Sequence, residues 1–439
     1  MGTGYFEQVE DIQTVPPSPD FSYRAGQLYA ESVSLEHIAD KYGTPAYIYS
    51  GAAVDRAYRT IDAALGPGPH QVAYSLKANG SLALLSRLAR LGASADIVSD
   101  GELARALKAG FAPDRIVFSG VGKTDRELVA ALEAGIGAIH VESEPEIDVL
   151  EAIARERRVR APIALRINPD VDPKTHPYIA TGLHSSKFGI ELAVARALLP
   201  RLVQSPHLNL QGLACHLGSQ LLSPEPYREA MTVVASFATE CVSAGAKLRS
   251  LDAGGGWPVV YGNETEQPPP YSEYGQAILG GIHKGGATEL GLEVIVEPGR
   301  EMVADAGLLL TRVTYVKKQG NKRFVIVDAA MTDLIRPSLY GSYHAIMPAQ
   351  QPANCAPYTP ADVVGPVCET GDFLARGRKL PELRRGDLLA IRGAGAYSAV
   401  MASTYNGRTR ACEILVEGNS HRVVRNREKI EDLWRDEVV

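Results

Sequence analysis

The chain has 439 residues, 45% of them hydrophobic and 22% charged, and 51 acidic against 45 basic residues give a formal charge of −6. That balance argues against a nucleic acid or an acidic membrane surface as partner. The length exceeds what one hydrophobic core usually holds and predicts a large domain with a smaller one. The opening stretch MGTGYFEQVEDIQTVPPSPDF has no basic segment followed by an apolar run, and no later segment reaches the ~20 apolar residues of a membrane span. A cytoplasmic protein is therefore expected. Cys215, Cys241, Cys355, Cys368 and Cys412 form no CxxC pair and read as free thiols.

In chain order, FSYRAGQLYAE reads as strand, and its edges need pairing, so residues 1–50 are assigned to a β domain formed mainly by the C-terminal part of the chain. Residues 51–305 alternate short β-branched runs with amphipathic stretches. QVAYSLKA, ASADIVS, RIVFSG, AIHVES, PIALRINP, LQGLACHLG, LRSLDAGGG and LEVIVEPG read as eight strands. SLALLSRLARLG, GELARALKAGF and TDRELVAALEAG carry apolar residues at helical spacing. Eight strand and helix units fit a (β/α)8 barrel of the TIM type better than an open sheet. From residue 306 to 439, LLLTRVTYVKKQ, KRFVIVDAA, DLLAIRGAGAY and ACEILVEG predict an all-β barrel or sandwich. The proline-rich stretches 267–275 and 347–362 read as loops.

The residues with chemical potential stand at the ends of the predicted barrel strands, where such a barrel gathers its site. Lys77 ends an apolar strand; burial disfavours an ammonium and suits a Schiff-base lysine, although a lysine snorkelling from a strand end fits equally well. Gly254, Gly255 and Gly256 can turn backbone N–H groups towards a phosphate, or simply make a tight turn. VEPGRE supplies Glu297, Gly299 and Arg300. Its carboxylate can hold a pyridine nitrogen protonated and its guanidinium can grip a carboxylate, with an internal ion pair as the alternative. His216 and Ser219 in ACHLGSQ can stack on a ring and bond a phosphate, or belong to the core. Cys368 and Glu369 in GPVCETGD pair a thiol with a carboxylate, and Tyr397 stands among small residues. No HExxH or His/Cys/Asp cluster has metal-ligand spacing, so no metal is expected.

Ten segments in order, among them YSLKAN, ADIVSDGELARALKAGF, RIVFSGVGKT, CHLGSQ, GGG, EPGR, DLIRPSLY, GPVCETGD and AGAYSAVMASTYNGR, make the chain resemble the fold-type III decarboxylases that use pyridoxal 5'-phosphate (PLP). The likeness is closest to the branch acting on meso-diaminopimelate. It implies an alanine-racemase-like barrel with a C-terminal β domain, PLP bound through Lys77, and His216 stacked on the ring. Asp96 and Arg166 would support the lysine and the cofactor. Ser219, Gly254, Gly255, Gly256, Gly299, Arg300 and Tyr397 would surround the phosphate, with Glu297 at the pyridine nitrogen.

For the substrate, the resemblance assigns Arg300, Arg336 and Tyr340 to the distal carboxylate, Glu369 to the distal amino group, and Tyr397 to the same pocket. Cys368 would be the proton donor, and Cys368 and Glu369 would come from the other subunit of a homodimer. The implied reaction converts meso-2,6-diaminopimelate into L-lysine and CO2. Decarboxylation of D-lysine, ornithine or carboxynorspermidine is the alternative, and a PLP carrier without catalysis a more distant one. Glu297 disfavours a racemase, which would carry an arginine there. The chain departs from the pattern at Trp257, which can narrow the phosphate loop or pack outward, and at Ala330. The segment PDVDPKTHPYIATGLHSSKFG is expected to form a mobile loop over the site.

Overall fold

A computed structural model describes residues 18–171, 187–264, 266–352 and 356–439. The expected mobile loop falls largely on residues 172–186 and Cys355 on 353–355, outside the described residues. The chain divides into two compact units, one made of residues 54–259 and 266–302 and the other of the described parts of 1–53, 260–265 and 303–439.

The first unit is the barrel. Its strands are β1 (His70–Ser75), β2 (Ser94–Ile97), β3 (Ile116–Phe118), β4 (Ala138–Val141), β5 (Ala161–Asn168), β6 (Leu208–Ala214), β7 (Ser250–Asp252) and β8 (Glu293–Val296). All neighbouring pairs are parallel, and β8 pairs with β1 while β4 pairs with β5, so the sheet closes on itself. Strands covered on both faces are shielded from water along their length, and β2, β3 and β4 are buried at every position, including the polar Ser94, Asp96 and His140.

Helices join the strands, and their ends follow local chemistry. Ser99 caps Asp100–Ala109 by accepting from the Glu102 N–H, and Thr124 with Glu127 forms a capping box at Asp125–Ala134. Gly110 and Gly135 close those helices in the left-handed region. One expectation fails here: the proline run does not continue as loop through residue 275, because Tyr271–Lys284 is helical. Pro270 stands at its N-cap, where a missing N–H costs nothing.

Strand alternation builds the barrel interior in two layers. Ala73, Val117, Ala138, Ala164 and Ile295 form a small apolar cluster on five strands. Two residues further along the same strands stand Ser75, Ser119, His140, Arg166 and Glu297, all buried. A period of two returns each side chain to the same face, so a polar layer lies directly above an apolar plug.

The second unit is built on a nine-stranded sheet whose middle includes Ala46–Ser50, paired antiparallel with Gly307–Gln319 and parallel with Cys412–Glu417. Phe21, Leu28, Ile38 and Ile48 from the N-terminal segment share one core with Leu308, Leu310, Ala390 and Ile414. The segment 347–362 is also not all loop: Ile346–Pro348 and Thr359–Val364 are strands.

Candidate active site

Lys77 lies in a 3-10 turn, Leu76–Ala78, directly after β1. Its side chain is 40% exposed and its Nζ stands 3.5 Å from Asp96 Oδ2. The side chain is thus only partly buried, and an ion pair at the strand end anchors the amine. Asp96 is itself 1% exposed and receives Ser75 Oγ at 2.6 Å, while its Oδ1 has no hydrogen-bond partner among the described residues. Ser75 and Asp96 are register partners of β1 and β2, so the barrel's pairing fixes the lysine's anchor.

Glu297 follows β8. Its Oε1 receives Ser119 Oγ at 3.2 Å and lies 3.6 Å from His140 Nδ1, and its Oε2 lies 3.9 Å from His216 Nδ1. His140 Nε2 faces Asp252 Oδ2 at 3.8 Å. His140, Asp252 and Glu297 place one ligand atom each within 4.8 Å of one another, a set that has the donors for a metal ion. Hydrogen bonds within the protein already engage it: Ser119 Oγ meets His140 Nδ1 at 3.1 Å, and the Gly254 N–H donates to Asp252 Oδ1 at 2.8 Å.

Burial sets the protonation of this cluster. It pushes Asp252 up to about 7 and Glu297 well above the usual carboxylate range, each raised further by its neighbouring carboxylates. It takes His140 down to about 3, leaving a neutral imidazole. Two carboxyls this close share a proton rather than both ionise. Asp252 goes from 3.8 to about 7 on folding, so its protonated form stabilises the fold at low pH and the contribution is lost as pH rises through that interval. Asp252→Asn is therefore expected to shrink the fall in melting temperature between pH 5 and pH 8. An unchanged pH dependence, measured by calorimetry, would remove Asp252 from this role.

His216 follows β6. The Gly255 N–H donates to its Nδ1 at 3.1 Å, so that nitrogen is an acceptor, and burial with Arg166 and Lys77 nearby keeps the ring neutral. Arg166 Nη1 bonds Glu142 Oε1 at 2.9 Å, and its guanidinium lies over Phe188. Glu142 also accepts from the N–H groups of Gly120 and Gly189, tying three segments at the same end of the barrel.

Gly254 and Gly256 have φ of +70° and +103°, and a Cβ on Gly255 or Gly256 would stand 2.0 Å from the carbonyl of Glu297 or Gly218. Their N–H groups do not converge on one point. Gly254 donates to Asp252, Gly255 to His216, and Gly256 to Glu301 Oε1 at 3.0 Å. The Gly299 N–H donates to Glu301 Oε2 at 2.9 Å, and Arg300 Nη2 reaches Ser219 Oγ at 3.3 Å. The Glu301 carboxyl thus accepts from one amide of the glycine run and one of the EPGR turn, two donors aimed at a single group. Trp257 does not pack outward. It is buried and stacked on Tyr274 with ring centroids 5.6 Å apart.

The second unit holds the other expected residues. Arg336 is buried at the start of the short helix Arg336–Tyr340, whereas Tyr340 is exposed. Cys368 is an exposed free thiol whose backbone N–H donates to Asn406 Oδ1. The Asp372 carboxylate shapes the loop carrying Cys368 and Glu369 by accepting from the N–H groups of Val367 and Met331. Tyr397 has a φ of +54°, in the left-handed region that few tyrosines adopt. Sequence reasoning missed Asp252, His140, Ser119, Glu142 and Glu301. The first three were detectable, since each is a polar residue within a run predicted as a barrel strand.

A neutral imidazole for stacking, a buried carboxyl beside it, a lysine at a strand end and a glycine corner with backbone donors all fit PLP. These features define a barrel decarboxylase of the pyridoxal-dependent class: residues 51–304 match the family described as pyridoxal-dependent decarboxylase, pyridoxal binding domain. Within that class, the chain belongs to the diaminopimelate decarboxylase family. It is 48% identical over 417 residues to diaminopimelate decarboxylase of Pseudomonas aeruginosa, covering 95% of this chain and 98% of that one. The enzyme of Vibrio cholerae is 47% identical over 95% of this chain and 99% of its own. Among solved structures, diaminopimelate decarboxylase of Helicobacter pylori complexed with L-lysine has a TM-score of 0.86 at 44% identity, covering 91% of this chain and 98% of that one. The M. jannaschii enzyme in complex with L-lysine has a TM-score of 0.89 at 33% identity, covering 95% of this chain and 98% of that one.

Proposed function

We propose that the chain decarboxylates meso-2,6-diaminopimelate to L-lysine and CO2 as a PLP enzyme, the last step of lysine formation, acting as a cytoplasmic homodimer. The observation that carries this reading is 48% identity over 95% of the chain, which spans both units. Among the described residues no helix is long and apolar enough to cross a membrane.

PLP, when bound, supplies a ring that takes up the electron pair left as CO2 departs. The chain's residues do the rest. Lys77 holds the cofactor covalently between turnovers and exchanges protons with the incoming amine. The Glu297 carboxyl would hold a proton at the pyridine nitrogen, and the neutral His216 ring would pack against the cofactor. Ser219, Gly254, Gly255, Gly256, Gly299, Arg300 and Tyr397 would hold its phosphate. Asp96 and Arg166 keep Lys77 and the ring's surroundings in place. Arg300, Arg336 and Tyr340 grip the substrate's distal carboxylate, Glu369 its distal amino group, and Cys368 delivers a proton to Cα. Cys368 and Glu369 reach each site from the partner subunit.

Selectivity then comes from guanidinium groups that are costly to leave unpaired when the second carboxylate is missing. CO2 release from meso-diaminopimelate is expected to exceed that from D-lysine, ornithine and carboxynorspermidine by about 100-fold or more in kcat/KM. Faster release from any of the other three would replace the substrate.

A further inference from the structure

Arg336 is 6% exposed, and its guanidinium lies over the Tyr261 ring with Cζ 4.9 Å from the centroid. Its Nη1 stands 2.9 Å from His344 Nε2. A guanidinium only donates, so Nε2 accepts. On the other side of the ring, Nδ1 is 2.8 Å from the carbonyl of Arg392, which only accepts, so Nδ1 carries the proton. Together these bonds select one neutral tautomer of a histidine that is 0% exposed.

The histidine's own backbone is fixed as well. Its carbonyl receives Arg378 Nη1 at 2.9 Å, the Arg378 guanidinium packs 3.9 Å from the Tyr343 ring centroid, and the Arg392 N–H donates to the Ala345 carbonyl at 2.8 Å. Gly393 leaves the space this arrangement needs: with φ at +67°, a Cβ there would lie 2.9 Å from the Tyr261 ring.

We infer that His344 is a positioning residue that, with the face of Tyr261, holds the Arg336 guanidinium in one orientation and so sets selectivity for substrates with a distal carboxylate. The inference rests on the reading of Arg336 as a group that grips that carboxylate. A guanidinium fixed by an acceptor at one edge and an aromatic face below presents its remaining N–H groups without first losing rotamer freedom. Binding of the carboxylate then costs less. The chemistry at Cα does not pass through His344, so its effect belongs in KM.

The test uses the PLP-loaded enzyme and two inhibitors. L-Lysine keeps the distal carboxylate, and cadaverine lacks it. His344→Leu fills the volume without an acceptor and is expected to weaken L-lysine inhibition and raise the KM for meso-diaminopimelate by about tenfold. Cadaverine inhibition, kcat and the visible absorbance of the bound cofactor should stay within about twofold. His344→Gln, which restores an acceptor, should recover most of the loss.

Equal weakening towards both inhibitors, or L-lysine inhibition unchanged in His344→Leu while Arg336→Ala weakens it, overturns the proposal. If Arg336→Ala itself leaves L-lysine inhibition unchanged, the reading of Arg336 fails and the proposal with it. Should His344→Leu not fold, Tyr261→Leu removes the face beneath the same guanidinium. It is expected to show the same selective loss, and its absence counts against the inference equally.

Discussion

Lys77→Ala is expected to lose the visible absorbance of lysine-bound PLP and to cut turnover of meso-diaminopimelate by about 10²–10⁴-fold or more. The site gives the reason. The amine stands on Asp96 at the end of β1 with 40% of its side chain exposed, so it is both anchored and accessible to a cofactor. Removing it takes away the covalent attachment and the group that trades protons with the substrate amine. A purified Lys77→Ala protein that keeps the absorbance band would assign the attachment elsewhere. The same variant tests the shared sites: mixed with Cys368→Ala, it should regain activity, because one hybrid site then contains both residues. Hybrid dimers that form but stay inactive would mean that each subunit completes its own site.

Glu297→Gln is expected to lower kcat by about 10²–10³-fold while cofactor binding survives. The amide keeps the shape and a hydrogen bond but carries no charge to hold a proton at the pyridine nitrogen, so the ring becomes a poorer acceptor of electrons. Glu297 is suited to this work by its support. Ser119, His140 and Asp252 surround the carboxyl, and burial beside other carboxylates favours its protonated form until a cationic partner stabilises the charge. Single-turnover decarboxylation with the absorbance spectrum recorded in parallel checks both halves of the expectation. A kcat within about threefold of wild type would show that Glu297 does not tune the ring.

Much of the barrel was legible because parallel strands buried on both faces are forced into β-branched and small residues, and RIVF, AIHV and EVIV have no other reading at that spacing. Tyr271–Lys284 was hidden by the prolines before it, which mark a helix start as readily as a loop. The strand-end positions of Lys77, His216 and Glu297 were visible in the sequence, and their chemical neighbours were not. Asp252 and His140 meet Glu297 only once the barrel closes, across separations of 45 and 157 residues that no local pattern encodes. Lys77 shows the same limit: an apolar strand left burial and snorkelling both open, and only the position of Asp96 reveals an ion pair at the strand end. In the second unit, the tautomer of His344 depends on a carbonyl 48 residues away.

The two-layer interior also bears on how the enzyme is best redesigned. Ala73, Ala138 and Ala164 lie two positions before Ser75, His140 and Arg166 on the same strands, so a larger residue in the plug would press on the polar layer above it. Under the proposed function, changes of substrate are therefore better sought in Arg336, Tyr340 and the loop carrying Glu369. The layered strands serve as a chassis that directed evolution can leave untouched while it retools the specificity parts.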